Sequence, residues 1–330
     1  MKKTKFLVVL MAVVLMLTGV LSGCSGENSE NVSSDLTSTD NVSETLSSDN
    51  ASTESGNANS SEPLRDPNAP KSLKILSIGH SYSLNATQYL WDIAKAAGVE
   101  EIKIGVVYYA GCPLDRHWRN IVNDEPDYVY YKNVAGTWIQ YPETTMDVAI
   151  SDEDWDIVTL QQGPSESGRV STFENLENII SYVKNQLPEA RLFWHLTWAN
   201  QSDYWSERFE EHYNCDQMTM YNAIMQTYAS RIMPITDFEK VIPCGTVVQN
   251  LRSSYLGDTL TRDGYHLSDG IGCYAAGLAW YAVLAGGNVD MVDWVPKAFP
   301  GIKEDLAVIR QSIKDALEEP LMVTEQTKEK

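Results

Sequence analysis

The stretch LKILSIGHSYSLNATQYLWDIAKAAG, residues 73–98, joins an apolar run to a helical pattern through a short polar turn. Lys74–Ile78 is mostly apolar, contains β-branched residues and ends at a glycine, which predicts a short buried strand. Between Leu84 and Ala97 the apolar residues recur every three or four positions, which predicts an amphipathic helix that ends at Gly98. A strand, a tight turn and a helix in this order are typical of an α/β fold.

The same alternation of short apolar runs and longer helical patterns continues to the end of the chain. We therefore predict a three-layer α/β/α sandwich in residues 71–330, around a mostly parallel sheet of about five strands. A segment rich in Tyr, Asn and Asp, Asn123–Thr145, is expected to be an inserted loop or hairpin. The predicted strands are Lys74–Ile78, Ile102–Tyr109, Trp155–Gln161, Arg191–Thr197, Ile232–Ile235 and Val241–Val247, and the predicted helices are Leu84–Ala97, Thr172–Gln186, Gln217–Arg231 and Gly270–Leu284.

The first residues have the pattern of an export signal. Three lysines within the first five residues precede the apolar run Phe6–Val20, which is short for a membrane span. The run leads into Leu21-Ser22-Gly23-Cys24, which resembles the bacterial lipobox. We expect a signal peptide over residues 1–23 and a palmitate-type lipid on Cys24, which anchors the protein on the outer face of a bacterial, Gram-positive cell membrane. An ordinary signal peptide and a transmembrane anchor remain the alternatives.

Residues 24–70 consist mainly of Ser, Asn, Thr, Glu and Asp. A segment with so few large apolar residues does not bury enough surface to fold, so we predict a disordered tether. The tether holds a large share of the formal net charge of −20. Because the sequence has no basic patch, we expect no nucleic-acid partner. The remaining part, residues 71–330, has the size of one domain, which we expect to be monomeric.

Four cysteines lie in the predicted domain, Cys112, Cys215, Cys244 and Cys273. In an oxidising compartment they form one or two disulfides or remain as buried thiols, and the sequence does not choose between these states. No pair has the close spacing of a zinc site, so we expect neither a metal nor a cofactor.

Polar or glycine-rich clusters follow four of the predicted strands, beginning with Gly79-His80-Ser81. The others are Ala110–Cys112, Gln161–Ser165 and Thr197–Asn200. In parallel α/β sheets the functional site lies beyond the carboxyl ends of the strands, so these clusters are expected to meet. Near the end of the chain, TRDGYHLS places Asp263 three residues before His266, a spacing that allows one tight turn to hold both side chains on the same side.

Four sequence blocks in this order resemble the SGNH-hydrolase, or GDSL-type esterase, superfamily. They are ILSIGHSYS, YYAGCPL, TLQQGPSESG and TRDGYHLS, and the similarity covers the chain after about Ser72. The chain is most similar to a bacterial branch whose members open with an ILxIGNSxS-like block. The resemblance implies a flavodoxin-like fold and a serine hydrolase that cleaves carboxylic esters.

The resemblance also implies site residues. Ser81 would be the nucleophile, His266 its base and Asp263 the group that orients the histidine. The oxyanion would be held by the backbone N–H groups of Ser81 and Gly111 and by a side-chain amide. The superfamily has Asn as that amide, whereas this chain offers Gln161 and Gln162. We favour Gln162 because it is nearer the loop, and Gln161 would face the other side of the sheet if the strand alternates.

Other residues near the blocks are open to a functional or a structural interpretation. His80 stands where the superfamily has Asp or Asn, and we expect it to hydrogen-bond beneath the nucleophile turn rather than act as the base. His117, Trp198, Gln249 and Arg252 are candidate substrate-binding residues, although each also fits a structural role. His195, inside a predicted strand, is expected to be a core residue.

An exported, tethered esterase that is rich in Trp and Tyr and has no apolar lid segment suits a polar substrate outside the cell. We expect acetyl esters of a glycan or polysaccharide, because aromatic faces stack on sugar rings. The alternatives are a lipid or lysophospholipid esterase of the same superfamily and a non-catalytic, solute-binding surface lipoprotein.

Overall fold

The computed structural model describes residues 65–330. One sheet contains seven strands, so the predicted number of about five is too low. The strands are β1 (Ser72–Gly79), β2 (Glu101–Tyr108), β3 (Tyr128–Val134), β4 (Thr137–Thr144), β5 (Ile157–Leu160), β6 (Arg191–His195) and β7 (Phe238–Ile242).

The sheet consists of a parallel part and an antiparallel hairpin. Its strand order is β4-β3-β2-β1-β5-β6-β7, and all neighbours from β2 to β7 are parallel. Strands β3 and β4 form a hairpin that extends the sheet beyond β2, so the predicted insertion at residues 123–145 contains two strands. The parallel strands alone have the flavodoxin-like order, in which a binding site lies where the strand order reverses, beside β1.

Helices cover both faces of the sheet, which confirms the predicted three layers. In β1, Leu73 and Ile75 belong to one hydrophobic core, whereas Leu76 and Ile78 belong to the core on the other face of the sheet. One layer consists of helices α1 (Ser81–Thr87), α2 (Leu90–Ala96), α8 (Cys244–Ser253), α9 (Ile271–Leu284) and α10 (Ile302–Glu318). The other layer consists of α3 (Leu114–Asn123), α4 (Met146–Ile150), α5 (Leu176–Gln186), α6 (Glu207–Tyr213) and α7 (Gln217–Thr227).

Two predicted strands near residue 240 are wrong in position. Ile232–Ile235 is not a strand: Ile232 ends a π-helical turn that follows α7, and Met233 is 63% exposed. The segment Val241–Val247 shares only its first two residues with β7, because Pro243 precedes the start of α8. Proline has no N–H for a sheet but fits the beginning of a helix, which explains the change at this residue.

The folded part begins before the predicted boundary at residue 71. Asp66 is fully buried, and its carboxylate accepts hydrogen bonds from the hydroxyl of Tyr281 (2.7 Å) and the backbone N–H of Asn288. The predicted signal peptide, Cys24 and the tether up to residue 64 lie outside the described residues. Within residues 65–330, no helix is long and apolar enough to cross a membrane, and the four cysteines are free thiols.

Candidate active site

The turn between β1 and α1 presents Ser81 at the first position of the helix. His80 has extended backbone angles and caps α1, because its Nδ1 accepts the N–H of Tyr82. Its Nε2 donates to the backbone carbonyl of Gln162 at 3.0 Å. A Cβ atom on Gly79 would lie 1.9 Å from Nε2 of Gln161, so the tight packing under this turn requires glycine.

Ser81, His266 and Asp263 form a continuous hydrogen-bonded chain. The distance from Oγ of Ser81 to Nε2 of His266 is 2.8 Å, and that from Nδ1 of His266 to Oδ2 of Asp263 is 2.6 Å. The carboxylate therefore accepts the Nδ1 proton, which leaves Nε2 as the acceptor for the serine hydroxyl. The residues that the sequence assigned to nucleophile, base and orienting group thus lie within hydrogen-bond distance of one another.

The Asp263 carboxylate is held in its ionised form. Partial burial alone would raise its pKa, but hydrogen bonds from the His266 side chain and from the backbone N–H groups of Tyr265 and His266 outweigh this effect. The pKa of Asp263 is consequently below its usual value. An ionised carboxylate at this position fixes the imidazole tautomer and stabilises a positive charge on the ring.

The loop after β6 holds the turn that carries Asp263 and His266. Nε1 of Trp198 donates to the carbonyl of Tyr265 and the N–H of Gln201 donates to the carbonyl of Gly264, both at 2.7 Å. Trp198 is fully buried and stacks on Tyr82 with ring centroids 4.1 Å apart. These contacts favour the structural role of Trp198 over the substrate-binding role, because they support the turn.

The two backbone N–H groups predicted to hold an oxyanion are unpaired in residues 65–330. Neither the N–H of Ser81 nor that of Gly111 makes a hydrogen bond to any group in residues 65–330. Gly79 pairs with Tyr108 across β1 and β2, so the two strands end at the same level. Gly111 is exposed and has a φ angle of +59°, a backbone conformation that favours glycine.

The predicted side-chain donor, Gln162, is occupied elsewhere. Its Nε2 donates to the carbonyl and the hydroxyl of Thr172, and its Oε1 accepts the N–H groups of Leu114 and Gly163. Both of its N–H groups are therefore used within the loop, which corrects the expected oxyanion role. Gln161 is buried under the turn, where its Nε2 donates to Oγ of Ser83.

A family model described as "Domain of unknown function (DUF4886)" matches residues 74–313. The chain belongs to the DUF4886 family. A crystal structure of a DUF4886 protein from Bacteroides uniformis is 33% identical in sequence, with a TM-score of 0.71, and the alignment covers 77% of this chain and 98% of that one. Among curated proteins, none matches the sequence.

Two further solved structures are neighbours of this DUF4886 chain at low sequence identity. A GDSL-like lipase from Bacteroides thetaiotaomicron is 12% identical, with a TM-score of 0.37, and the alignment covers 74% of this chain and 88% of that one. A family 3 carbohydrate esterase from Clostridium thermocellum is 15% identical, with a TM-score of 0.37, over 67% of this chain and 97% of that one. At these scores the neighbours carry no information on substrate.

Asn85 supports the site of this DUF4886 protein and was not singled out in the sequence. Its Oδ1 accepts the N–H of Leu267 at 3.0 Å, which joins α1 to the residue after His266. Asn85 stands four positions after Ser81, so both lie on the same face of α1. That spacing is the signal in the sequence, but a buried amide facing a distant loop becomes apparent only when the loop is placed.

Three histidines lie buried around the site, and burial keeps them neutral. Burial lowers the pKa of His80 to about 4, although its hydrogen bond to Gln162 opposes the shift. Burial also lowers the pKa of His117 and of His195 to about 3. His117 hydrogen-bonds Tyr128 and stacks on its ring, which favours the structural role over the substrate-binding role for this residue. His195 packs against Trp280 as a core residue.

These histidines are expected to make the protein sensitive to acid. In the unfolded chain these histidines bind protons below about pH 6.5, whereas in the folded protein they do so only below about pH 4 for His80 and about pH 3 for His117 and His195. The stability of the folded protein therefore falls as the pH drops through this interval. At pH 5 the loss is about 2 kcal/mol for each histidine. Between pH 7.5 and pH 5.0, the free energy of unfolding measured in urea should therefore fall by about 2 kcal/mol less for His195→Leu than for the unsubstituted protein. An equal loss in both proteins would contradict this assignment.

Gln249 and Arg252 do not reach the site near Ser81. Arg252 is buried, forms an ion pair with Asp258 at 2.7 Å and donates to the carbonyl of Ala199 at 3.0 Å. Gln249 donates to Gln217. Both line a separate cavity of about 320 Å³ together with residues of the C-terminal segment. These contacts favour a structural role over substrate binding, because Arg252 and Asp258 hold the loop that supports the catalytic turn.

A cavity of about 770 Å³ lies at the other end of the sheet. Its lining includes Ser72, Asp156 and Arg191, which stand at the beginnings of strands β1, β5 and β6. The whole length of β1 separates it from Ser81, so it is not part of the candidate active site. Within residues 65–330, no cluster of His, Cys, Asp and Glu has the arrangement of a metal site.

Proposed function

We propose that this protein is a serine esterase that transfers an acyl group from an ester to water through Ser81. The observation that carries the proposal is the hydrogen-bonded chain from Ser81 through His266 to Asp263, with distances of 2.8 and 2.6 Å. A serine hydroxyl becomes a nucleophile only when a positioned base removes its proton, and this chain supplies the base and its orienting carboxylate. A binding protein without catalysis has no need of these three groups together.

In the acylation step, Oγ of Ser81 attacks the ester carbonyl carbon while Nε2 of His266 takes the hydroxyl proton. The carbonyl oxygen becomes an oxyanion, and the unpaired N–H groups of Ser81 and Gly111 are available to stabilise it. The intermediate then breaks its bond to the alcohol oxygen, which receives the proton from His266. The alcohol leaves and the acyl group remains on Ser81.

In the deacylation step, water takes the place of the alcohol. His266 removes a proton from the water, which attacks the acyl carbon, and the same N–H groups hold the second oxyanion. The bond to Oγ breaks, Ser81 recovers its proton from His266 and the carboxylic acid leaves. Asp263 stays ionised throughout, because its lowered pKa opposes proton transfer from the imidazole.

The substrate is proposed to be an acetyl ester of a glycan or polysaccharide. Partly exposed tyrosines follow the strand ends and the catalytic turn, where they offer both aromatic faces and hydroxyl groups to a sugar; they are Tyr108, Tyr109, Tyr204 and Tyr265. A long acyl chain would instead need a continuous apolar surface.

The test is the turnover of p-nitrophenyl acetate and p-nitrophenyl octanoate by the full-length protein. We expect hydrolysis of both esters with a clear preference for acetate in kcat/KM. Preference for octanoate would favour a lipid esterase and overturn the acetyl assignment. Absence of turnover on either ester would favour a solute-binding protein and overturn the proposed function.

We also propose that the lipid on Cys24 tethers the enzyme to the outer face of the cell membrane. A single acyl chain binds membranes weakly, whereas a lipid-modified cysteine with several chains gives a stable anchor. Cys24→Ala should prevent incorporation of an alkyne-labelled fatty acid and move the protein from the membrane fraction to the medium. Unchanged membrane association would show that the apolar N-terminal segment itself is the anchor.

A further inference from the structure

The position of His266 decides where each half of an ester must lie, if the protein is the esterase proposed above. Nε2 of His266 has to return its proton to the alcohol oxygen, so that oxygen must come within about 3 Å of the ring. The carbonyl oxygen points instead to the N–H groups of Ser81 and Gly111, at the ends of β1 and β2. The alcohol half of the substrate therefore lies on the side of the turn that carries His266, next to the residues that border its ring.

A row of two tyrosine rings begins beside His266 on this side. The ring of Tyr265 lies 4.1 Å from that of His266 between centroids, and the ring of Tyr204 lies 5.4 Å from that of Tyr265. Tyr204 also packs on Gly264, where a Cβ atom would lie 2.4 Å from its ring. Each tyrosine is partly buried against the core and partly exposed, so its ring is held in place and still reachable.

We propose that Tyr265 and Tyr204 form the subsite for the alcohol half of the substrate, and that this half is a sugar ring stacked on Tyr204. A sugar has apolar C–H faces that pack on an aromatic ring and hydroxyl groups at its edge, which match a ring that carries a phenol. One ring, that of Tyr265, separates Tyr204 from the ring of His266, so a sugar stacked on Tyr204 would lie on the alcohol side of the catalytic histidine.

The polar rim of this subsite favours a sugar over an alkyl chain. Asp263 has 40% of its side chain exposed, and Arg262 pairs with Asp269 at the surface next to it. Burial and the neighbouring Asp263 raise the pKa of Tyr265, so its phenol stays protonated and is able to donate to a sugar oxygen. An alkyl chain packed against Tyr265 would offer its phenol no hydrogen-bond partner.

The test compares two esters that differ only in the alcohol half, 6-O-acetylglucose and ethyl acetate. Ethanol is too small to reach Tyr204 while its ester is at Ser81, so ethyl acetate reports the chemistry without the subsite. For each variant the ratio of kcat/KM on the sugar acetate to that on ethyl acetate is measured. Tyr204→Leu keeps bulk on Gly264 and removes the aromatic face, and should lower this ratio by about tenfold, mainly through KM.

Tyr204→Phe keeps the aromatic face and should leave the ratio within about twofold of the unsubstituted protein. Tyr182→Ala, in α5, whose hydroxyl donates to Asp147, is the control and should leave the ratio unchanged. An unchanged ratio in Tyr204→Leu, or an equal fall in the Leu and Phe variants, would overturn the stacking subsite.

The unsubstituted protein separates this inference from the proposed function. Hydrolysis of ethyl acetate without hydrolysis of the sugar acetate would overturn the sugar subsite and leave the esterase proposal in place. Hydrolysis of neither ester would overturn both.

Discussion

Ser81→Ala is expected to abolish ester hydrolysis, with kcat on p-nitrophenyl acetate falling by at least about 10⁴-fold. Without Oγ no acyl-enzyme forms, and His266 has only water to activate. The substitution removes one partly exposed oxygen and leaves the cap of α1 intact, since that cap is the side chain of His80. The melting temperature should therefore stay near that of the unsubstituted protein.

Ser83→Ala is the matched control, because Ser83 is the other serine of the same turn. Its Oγ is buried between Ser77 and Gln161 and does not face His266. The lost hydrogen bonds should lower the free energy of unfolding by about 1 to 3 kcal/mol. Activity should fall much less than in Ser81→Ala. Full turnover in Ser81→Ala would remove Ser81 as the nucleophile.

His266→Ala is expected to lower kcat about as much as Ser81→Ala, because the two groups act as one unit. His80→Asn should lower kcat by less than about tenfold. Asparagine caps a helix as well as the histidine does, and the neutral His80 ring donates to a backbone carbonyl rather than to a reacting group. Rates of p-nitrophenyl acetate hydrolysis for both variants, with their melting temperatures, separate the two histidines.

A result in which His80→Asn loses as much activity as His266→Ala would place His80 in the proton transfer and contradict this assignment. The expected signature of His80→Asn is instead a lower melting temperature. The Asn side chain is too short to replace both hydrogen bonds of the imidazole, and it leaves the Gln162 carbonyl with only the longer bond from the Ser167 hydroxyl.

Much of the fold was predictable because the parallel strands are short apolar runs that end in glycine or polar residues. The β1 strand and its turn, the three layers and the insertion at residues 123–145 all follow from such local patterns. The strand predicted at Ile232–Ile235 failed because a short apolar run also fits a helix end followed by a turn. The edge strand β7 begins with Phe238-Glu239-Lys240, whose exposed charges hide the strand pattern.

In the candidate site, too, the residues in local sequence patterns were predictable, whereas roles that depend on contacts between loops were not. Ser81, Asp263, His266 and Gly111 belong to recognisable blocks, and the structure brings the first three into contact. The roles of Gln162, Trp198 and Arg252 depend on which loop each side chain meets. Their partners, such as Thr172 for Gln162 and the carbonyl of Tyr265 for Trp198, lie 10 and 67 residues further along the chain. Residue type alone does not distinguish a substrate contact from a loop support of this kind.

The central claim, that His266 activates Ser81 as a nucleophile, is tested most directly by covalent labelling with diisopropyl fluorophosphate. The serine oxygen bonds to phosphorus and fluoride leaves, which needs an activated hydroxyl but no knowledge of the natural substrate. Mass spectrometry should find one diisopropylphosphoryl group per chain, located on Ser81 by fragmentation, and His266→Ala should not be labelled. Absence of labelling, or a label on Ser83 or on any other residue, would contradict the account.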